Sequence, residues 1–251
     1  MSKGRAKLAI SEGVSVWVLE APHGFGDAAY HSHHAIQITA CLSGALALST
    51  ESVMLEGPIL AVAADAMHKF EAHGLLAFIF IEPESRAGRI LSSTLFADQP
   101  LVELQDMAAL DLLEPLRATF DEGLDKDAML EVGQAAVRLL APASEATLPD
   151  PRVQSIIDYA ASHLDQPLSL GAAAQGIYLS PSRLRHLFVE QTGLAFKTYL
   201  LWLRLIRAVE LYSKGHSLTE ASHAAGFSDS AHFSRIFKRT FGLPATTLTR
   251  F

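Results

Sequence analysis

Two segments in the last third of the chain repeat one another, and this repeat limits the possible folds more than any other feature. Residues 169–193 read SLGAAAQGIYLSPSRLRHLFVEQTG, and residues 217–242 read SLTEASHAAGFSDSAHFSRIFKRTFG. Ser169 and Leu170 align with Ser217 and Leu218 at an offset of 48, while Leu184, Phe188 and Gly193 align with Phe233, Phe237 and Gly242 at 49. The extra residue falls in the middle of the second copy, where a turn absorbs it. Each copy reads as a short helix, a tight turn and a second helix with basic residues on its outward side.

The helix of the first copy starts near Ser180, with Ser180 as N-cap and Pro181 at the first helical position. Leu184, Leu187 and Phe188 fall on one side as anchors, leaving Ser182, Arg183, Arg185, His186 and Val189 outward. In the second copy Phe233, Ile236 and Phe237 anchor the helix, and Ser230, Ala231, Ser234, Arg235 and Lys238 face outward. A helix of this kind fits the major groove, where an Arg can hold guanine O6 and N7 with its two-pronged donor. Lys and Arg on the flanks neutralise phosphate. A helical bundle with a merely solvated basic face would explain one such helix, but not a repeat of the whole pattern.

The formal charge of −7 is an average over unlike halves. From Asp150 onward there are 11 Lys/Arg and 7 Asp/Glu, a net +4, and before it 9 and 20, a net −11. Any anion-binding surface therefore belongs to the C-terminal part.

The residues LSPSRLRHLF (179–188), Gly193, Arg204, Ala208, GFSDSAHFSRIFKRTFG (226–242), Pro244 and Arg250 resemble the C-terminal domain of AraC/XylS-type transcription regulators. The resemblance covers about 100 residues, from Asp150 to Arg250. It implies two helix-turn-helix units, about 168–192 and 217–241, bridged by a long helix over 195–213. The bridge would set the two reading helices into successive major-groove segments about 34 Å apart. Base reading then maps onto Ser182, Arg185 and His186 in the first unit, and onto Ser230, Ala231, Ser234 and Arg235 in the second. Small residues fill several of the second set, so the second helix is expected to be the less selective. Double-stranded operator DNA and RNA polymerase are the implied partners, with a homodimer expected from the family and from the apolar faces at 106–140.

Residues 14–81 hold short β-like runs at 14–20, 35–42, 45–49, 59–64 and 75–82, which suit a compact β-sandwich or barrel. Segments 106–120 and 126–140 place Leu110, Leu113, Leu116 and Phe120, then Met129, Val132, Ala136 and Leu140, at helical spacing. Pro115 interrupts the first of these. The stretch 141–151 reads as a linker, after which Asp150 caps a helix carrying Pro151 at its first position. The expected architecture is α+β in two domains. Residues 1–141 form a cupin-like β-barrel with following helices, 142–150 a linker, and 151–251 an all-α DNA-binding domain.

Within the β region the spacing Gly26-x4-His31-x-His33-x3-Gln37-x6-Gly44, followed by Gly57-x10-His68, is similar to the two cupin motifs. Gln37 stands where that pattern has Glu, and Ala63, Asp65 and Ala72 replace its Pro, Gly and Asn. The AraC-type family often carries a cupin-like sensor at its N-terminus. Alternation puts His31, His33 and Gln37 on one side of a strand and His34 on the other. Two readings stay open. His31, His33, Gln37 and His68 hold a divalent transition metal (Zn, Ni, Mn or Fe), or the histidines hydrogen-bond an effector or one another. An effector would occupy the interior, lined by Trp17, His31, His33, Gln37 and His68, with Trp17 read as core.

The single cysteine, Cys41, excludes an intrachain disulfide and fits a reducing compartment. It reads as a small buried hydrophobe. No signal peptide or membrane span is expected, so the protein is expected to be cytoplasmic. The leading expectation is a transcription regulator with a sensor domain and no enzymatic activity. The alternatives are a metal-dependent cupin enzyme, a dioxygenase or isomerase fused to a helical domain, and a helical protein-interaction module.

Overall fold

The computed structural model describes residues 5–11, 13–25, 29–105, 107–118, 120–123, 125–141 and 149–248. Gly26, most of the proposed linker and Arg250 lie outside them, as does the side chain of Leu110. The fold is mixed α+β, with an N-terminal sheet and a C-terminal helical part. The chain divides into two compact units: Met1–Ala146 together with Phe237–Phe251, and Thr147–Ile236.

Among the described residues the first unit has seven strands: β1 Ala6–Ser11, β2 Val14–Ala21, β3 Ile36–Ser49, β4 Met54–Glu56, β5 Ile59–Val62, β6 Lys69–Ile81 and β7 Leu101–Glu103. Their order is β1-β2-β6-β3-β5-β7, with β4 on β3, and every pairing is antiparallel. The runs expected at 35–42 and 45–49 are one strand. β3 runs on through a bulge, shifting register against β6 between Cys41 and Ser43. Gly44 and Gly74 face each other there at φ +100° and +97°, and a Cβ on Gly44 would lie 2.0 Å from the His73 carbonyl. Only glycine fits such a crossing.

Alternation gives the central strands two buried faces. Val16, Val18, Ile36, Ile38, Ala77, Ile79 and Ile81 turn to one side. They pack there with Leu91 of helix α1 (Arg86–Thr94), Leu113 and Leu116 of α2 (Met107–Ala118), and Met129, Ala136 and Val137 of α3 (Lys126–Leu140). α3 approaches β2 closely: a Cβ on Gly133 would meet Val16 Cγ2 at 2.3 Å. Trp17, Gln37, Thr39, Phe78 and Phe80 lie on the other face, brought level by the pairs Trp17↔Phe78, Gln37↔Phe80 and Thr39↔Phe78. α2 and α3 match the expected helices within two residues, and Pro115 is accommodated inside α2.

The second unit is helical throughout: α4 Pro151–Ser162, α5 Leu170–Ala173, α6 Pro181–Thr192, α7 Phe196–Ser213 and α8 Leu218–Ala224, followed by the first part of α9 (Ser230–Phe241). Asp150 caps α4 by accepting from the Arg152 amide, and its own N–H donates to Gln191 at 3.1 Å, tying the start of α4 to α6. The core joins Val153, Ile156 and Ile157 of α4 with Leu184, Leu187 and Phe188 of α6 and Tyr199 and Leu200 of α7. Among the described residues no helix is long and apolar enough to cross a membrane.

Candidate functional site

The first helix-turn-helix unit is assembled by capping. The Ser169 side chain caps α5 through the Ala172 amide, and Ser180 caps α6 through the Arg183 amide with Pro181 in the first turn. Gly193 then ends α6 in the left-handed conformation, at φ 76°. Phe188 is fully buried and meets Phe196 and Tyr199 edge-on, each ring centroid 5.4 Å away. Leu184 and Leu187 bury beside it. Ser182, Arg183, Arg185 and His186 are consequently all exposed.

The bridging helix is α7, beginning one residue later than the expected 195. Arg204, midway along it, spends its guanidinium on the carbonyls of Leu164 and Gln166 at 3.1 and 3.0 Å. It is a strut between α7 and the end of α4. Gly226, at φ +84°, lies against the same strut, and a Cβ there would come within 2.8 Å of Arg204 Nε.

The second unit opens with a capping box, in which Ser217 and Glu220 satisfy each other's backbone amides. Asp229 heads α9: its carboxylate accepts from the His232 amide at 2.6 Å. Phe233 and Phe237 are buried. Ala231, Arg235 and Lys238 are exposed, while Ser230 and Ser234 are partly exposed. The Ser234 hydroxyl donates to the Ser230 carbonyl at 2.8 Å, so Arg235 and Lys238 are the long donors on this face.

The first unit contains a second cluster. His31 and His68 form an antiparallel bridge, each amide donating to the other's carbonyl at 2.9 Å. The ligand atoms of His31, His33 and His68 lie within 4.8 Å of one another, and all three residues are buried. Each ring places Nδ1 on a nearby carbonyl: His31 on Ala29 at 2.8 Å, His33 on Ala35 at 3.0 Å and His68 on Ala66 at 2.8 Å. A carbonyl only accepts, so Nδ1 carries the proton in each ring and every Nε2 is left with a lone pair. Burial pushes all three histidines below the usual imidazole range, His33 to about 4 and His68 to about 2, so they are neutral. His68 Nε2 is buried without a hydrogen-bond partner.

Gln37 stands beside this set. Its amide lies 2.9 Å from His33 Nε2 and 2.8 Å from Thr39 Oγ1. Because His33 Nε2 accepts, the amide N–H2 faces that ring and the amide oxygen takes the Thr39 hydroxyl. Three imidazoles, each with Nδ1 fixed on a carbonyl, suit a first-row transition metal. The aromatic wall comprises Phe70, Phe80 and Phe241, with ring centroids 6.1 Å from His31 and 5.3 and 5.9 Å from His33, respectively. Trp17 packs edge-on to Phe80 at 4.9 Å, and its Nε1 is buried without a partner. Cys41 is half-buried.

His34, which alternation set apart, forms a separate ion cluster. Its Nδ1 and Nε2 each lie 3.2 Å from a carboxylate, of Asp65 and Glu84 respectively. Burial alone would lower this imidazole, but the two carboxylates outweigh it and raise it to about 9. Asp65 also has φ 60°, the left-handed conformation a glycine would take without cost, at the position where the cupin pattern has Gly. Its amide donates to the His33 carbonyl at 2.9 Å, so this turn sets His68 against His33.

Two tandem, fully capped helix-turn-helix units on one bridging helix define a paired helix-turn-helix domain. Residues 173–250 match the family model described as a helix-turn-helix domain. An HTH-type transcriptional regulator of Escherichia coli, YpdC, is 34% identical over 90 residues, 36% of this chain and 32% of that protein. The arabinose operon regulatory protein of Salmonella typhimurium is 34% identical over 113 residues, 43% and 40% of the two chains. The transcriptional activator RhaS of Salmonella paratyphi B is 35% identical over 97 residues, 38% and 35%. The C-terminal helical part is thus a helix-turn-helix domain similar to those of the arabinose operon regulatory protein and RhaS. The chain spans about a third to two fifths of the length of these relatives. ToxT of Vibrio cholerae shares the fold over 98% of both chains, with a TM-score of 0.54 at 14% identity.

Sequence reasoning missed two features. Tyr178, on the turn before α6, is 99% exposed, and an aromatic in an apolar-looking turn gave no signal of it. The partners of His34 lie 31 and 50 residues away, beyond any local pattern.

Proposed function

We propose that this protein is a sequence-specific, DNA-binding transcription regulator whose first unit is a cupin-like sensor. The carrying observation is the division of labour within α6 and α9. Leu184, Leu187 and Phe188 of α6 and Phe233 and Phe237 of α9 are buried, while Arg185 and Arg235 are exposed on the outward side of each helix. Arg185 and His186 with Ser182 read bases in the first unit, Arg235 with Ser230, Ala231 and Ser234 in the second, and Arg183 and Lys238 hold phosphate. Selection of bound fragments from genomic DNA by the purified chain tests this. A recovered motif supports the reading, and random recovery rejects it.

The sensor reading rests on the three converging histidines, which would hold a divalent Zn, Ni, Mn or Fe ion through their Nε2 atoms. The group would supply Lewis acidity and open coordination positions, and His33 would exchange its hydrogen bond to Gln37 for it. The DNA-binding half beside it favours sensing over turnover as the use of this site. One ToxT structure of Vibrio cholerae has an unsaturated fatty acid bound, and a small-molecule effector accords with this reading. The sensing step is a population shift: occupancy favours one of two arrangements of the chain. Homodimerisation and contact with RNA polymerase belong to the same proposal, and sedimentation with and without DNA tests the former.

A further inference from the structure

Val189 is 43% exposed on the outward side of α6, among exposed residues that are otherwise polar. A lone exposed valine is ordinary on a protein surface, so its meaning lies in its position. Val189 follows Ser182 by seven residues, Arg185 by four and His186 by three, which stacks all four on one stripe of the helix. At about 100° per residue, Val189 falls between Ser182 and Arg185 around the axis. It lies about 30° from the direction opposite the buried anchors Leu184, Leu187 and Phe188, whereas Arg185 lies about 70° from it. Val189 is thus nearer the middle of the reading face than Arg185. Along the axis it stands about 10 Å from Ser182, or roughly three base-pair steps.

The repeat shows what this position does not do. At the offset of 49 that aligns Leu184 with Phe233 and Phe188 with Phe237, Val189 and Glu190 fall on Lys238 and Arg239. The last turn of α9 therefore carries two exposed cations and the last turn of α6 none. A helix end resting on the DNA backbone needs cations to neutralise phosphate, as Lys238 and Arg239 can. Val189 cannot serve there, and the exposed Glu190 would repel phosphate. The C-terminal half of α6 therefore suits the groove floor and not the strand beside it. That floor is made of donors and acceptors with one apolar group among them, the 5-methyl of thymine. Against a donor or acceptor, an isopropyl group strips water and returns no hydrogen bond. Against a methyl group it removes apolar surface from water on both sides.

We infer that Val189 is a specificity-determining residue that reads one thymine through its 5-methyl group, beside the base pairs taken by Arg185 and His186. This rests on the regulator reading above and extends it from hydrogen-bonded readout to an apolar contact at the centre of α6.

The test uses the full chain and the operator recovered by genomic selection, with each thymine replaced in turn by deoxyuridine, which removes only the 5-methyl group. We expect one thymine, beside the base pair whose identity Arg185→Ala relaxes, to weaken wild-type binding about threefold to fivefold when replaced. Val189→Ala should lose about the same factor on the unmodified operator and less than about 1.5-fold more on the uracil duplex, because the two groups are in contact. Alanine is the better helix former, so this variant keeps α6 intact. Val189→Lys, which copies Lys238, should lose the preference for thymine over uracil. An equal change on operator and random duplex in either Val189 variant marks a backbone contact and overturns the proposal. An operator in which no thymine responds to uracil, or a uracil effect as large in Val189→Ala as in the wild type, also overturns it and leaves the regulator reading standing. Recovery of no common sequence by the folded wild-type chain overturns both.

Discussion

The two helix-turn-helix units share an architecture and differ in what they offer to DNA. α6 presents Arg183, Arg185 and His186 within its first two turns. α9 presents Arg235 among Ala231 and two serines, one of which is bonded to its own backbone. Their starts differ as well: a neutral serine heads α6, whereas the carboxylate of Asp229 heads α9. A negative charge suits the helix dipole and opposes the phosphates that the same helix end would approach. On the proposed reading, α6 is the more selective of the two faces and α9 contributes mainly grip.

The largest expected effect concerns the shared scaffold. Phe188→Ala should cost about 3–5 kcal/mol of stability in urea unfolding, because the ring is fully buried between Phe196 and Tyr199. A loss below about 1 kcal/mol would mean that α6 is not anchored as described. Next come the reading residues. Arg185→Ala should lose about 1–3 kcal/mol, roughly 5- to 150-fold, on the selected operator and much less on random duplex. Arg235→Ala should fall at the lower end of that range. An equal loss on both duplexes for Arg185→Ala, or a larger selective loss for Arg235→Ala, would reverse the comparison.

Smaller effects separate the caps. Ser180→Ala should cost about 1 kcal/mol at any pH between 3 and 8. Asp229 behaves differently, since its carboxyl is held below its ordinary value of 3.8 mainly by the His232 amide, with help from Ser228. A depressed acid stabilises fully above its ordinary value and loses that contribution as pH falls below it. Melting of the wild type should therefore approach that of Asp229→Ala below pH 3, with the two apart at pH 6. A gap that persists on acidification would show that the carboxylate does not cap α9. The smallest expected effect is at Tyr178. Its exposed hydroxyl suits phosphate contact, so Tyr178→Phe should weaken binding by less than about 1 kcal/mol, equally on operator and random DNA.

The helical half was largely legible in the sequence because its signals are local. Ser180-Pro181, Gly193 and the apolar spacing of Leu184, Leu187 and Phe188 each act within a few residues, and the expected bridge over 195–213 matches α7 to one residue. The β half was less so. β1, β4 and β7 went unread because Ala-rich or three-residue strands carry little alternation, and α1 because its nine residues include a glycine. That glycine, Gly88, is required by packing: a Cβ would lie 2.1 Å from the Glu82 carbonyl. Gly44 suggested a break between two strands because the sequence does not record its partner, Gly74. For the histidines, the spacing indicated which side chains converge, whereas the protonation of each Nδ1 depends on carbonyls whose direction only the fold sets.

The central claim is that two helices of one scaffold read sequence, the first more than the second. The decisive measurement is the affinity of the full chain for its selected operator relative to a scrambled duplex at fixed salt, repeated with Arg185→Ala and Arg235→Ala. The account predicts a wild-type ratio of about a thousandfold or more, reduced most by Arg185→Ala. A ratio near one for the folded wild-type chain would contradict it.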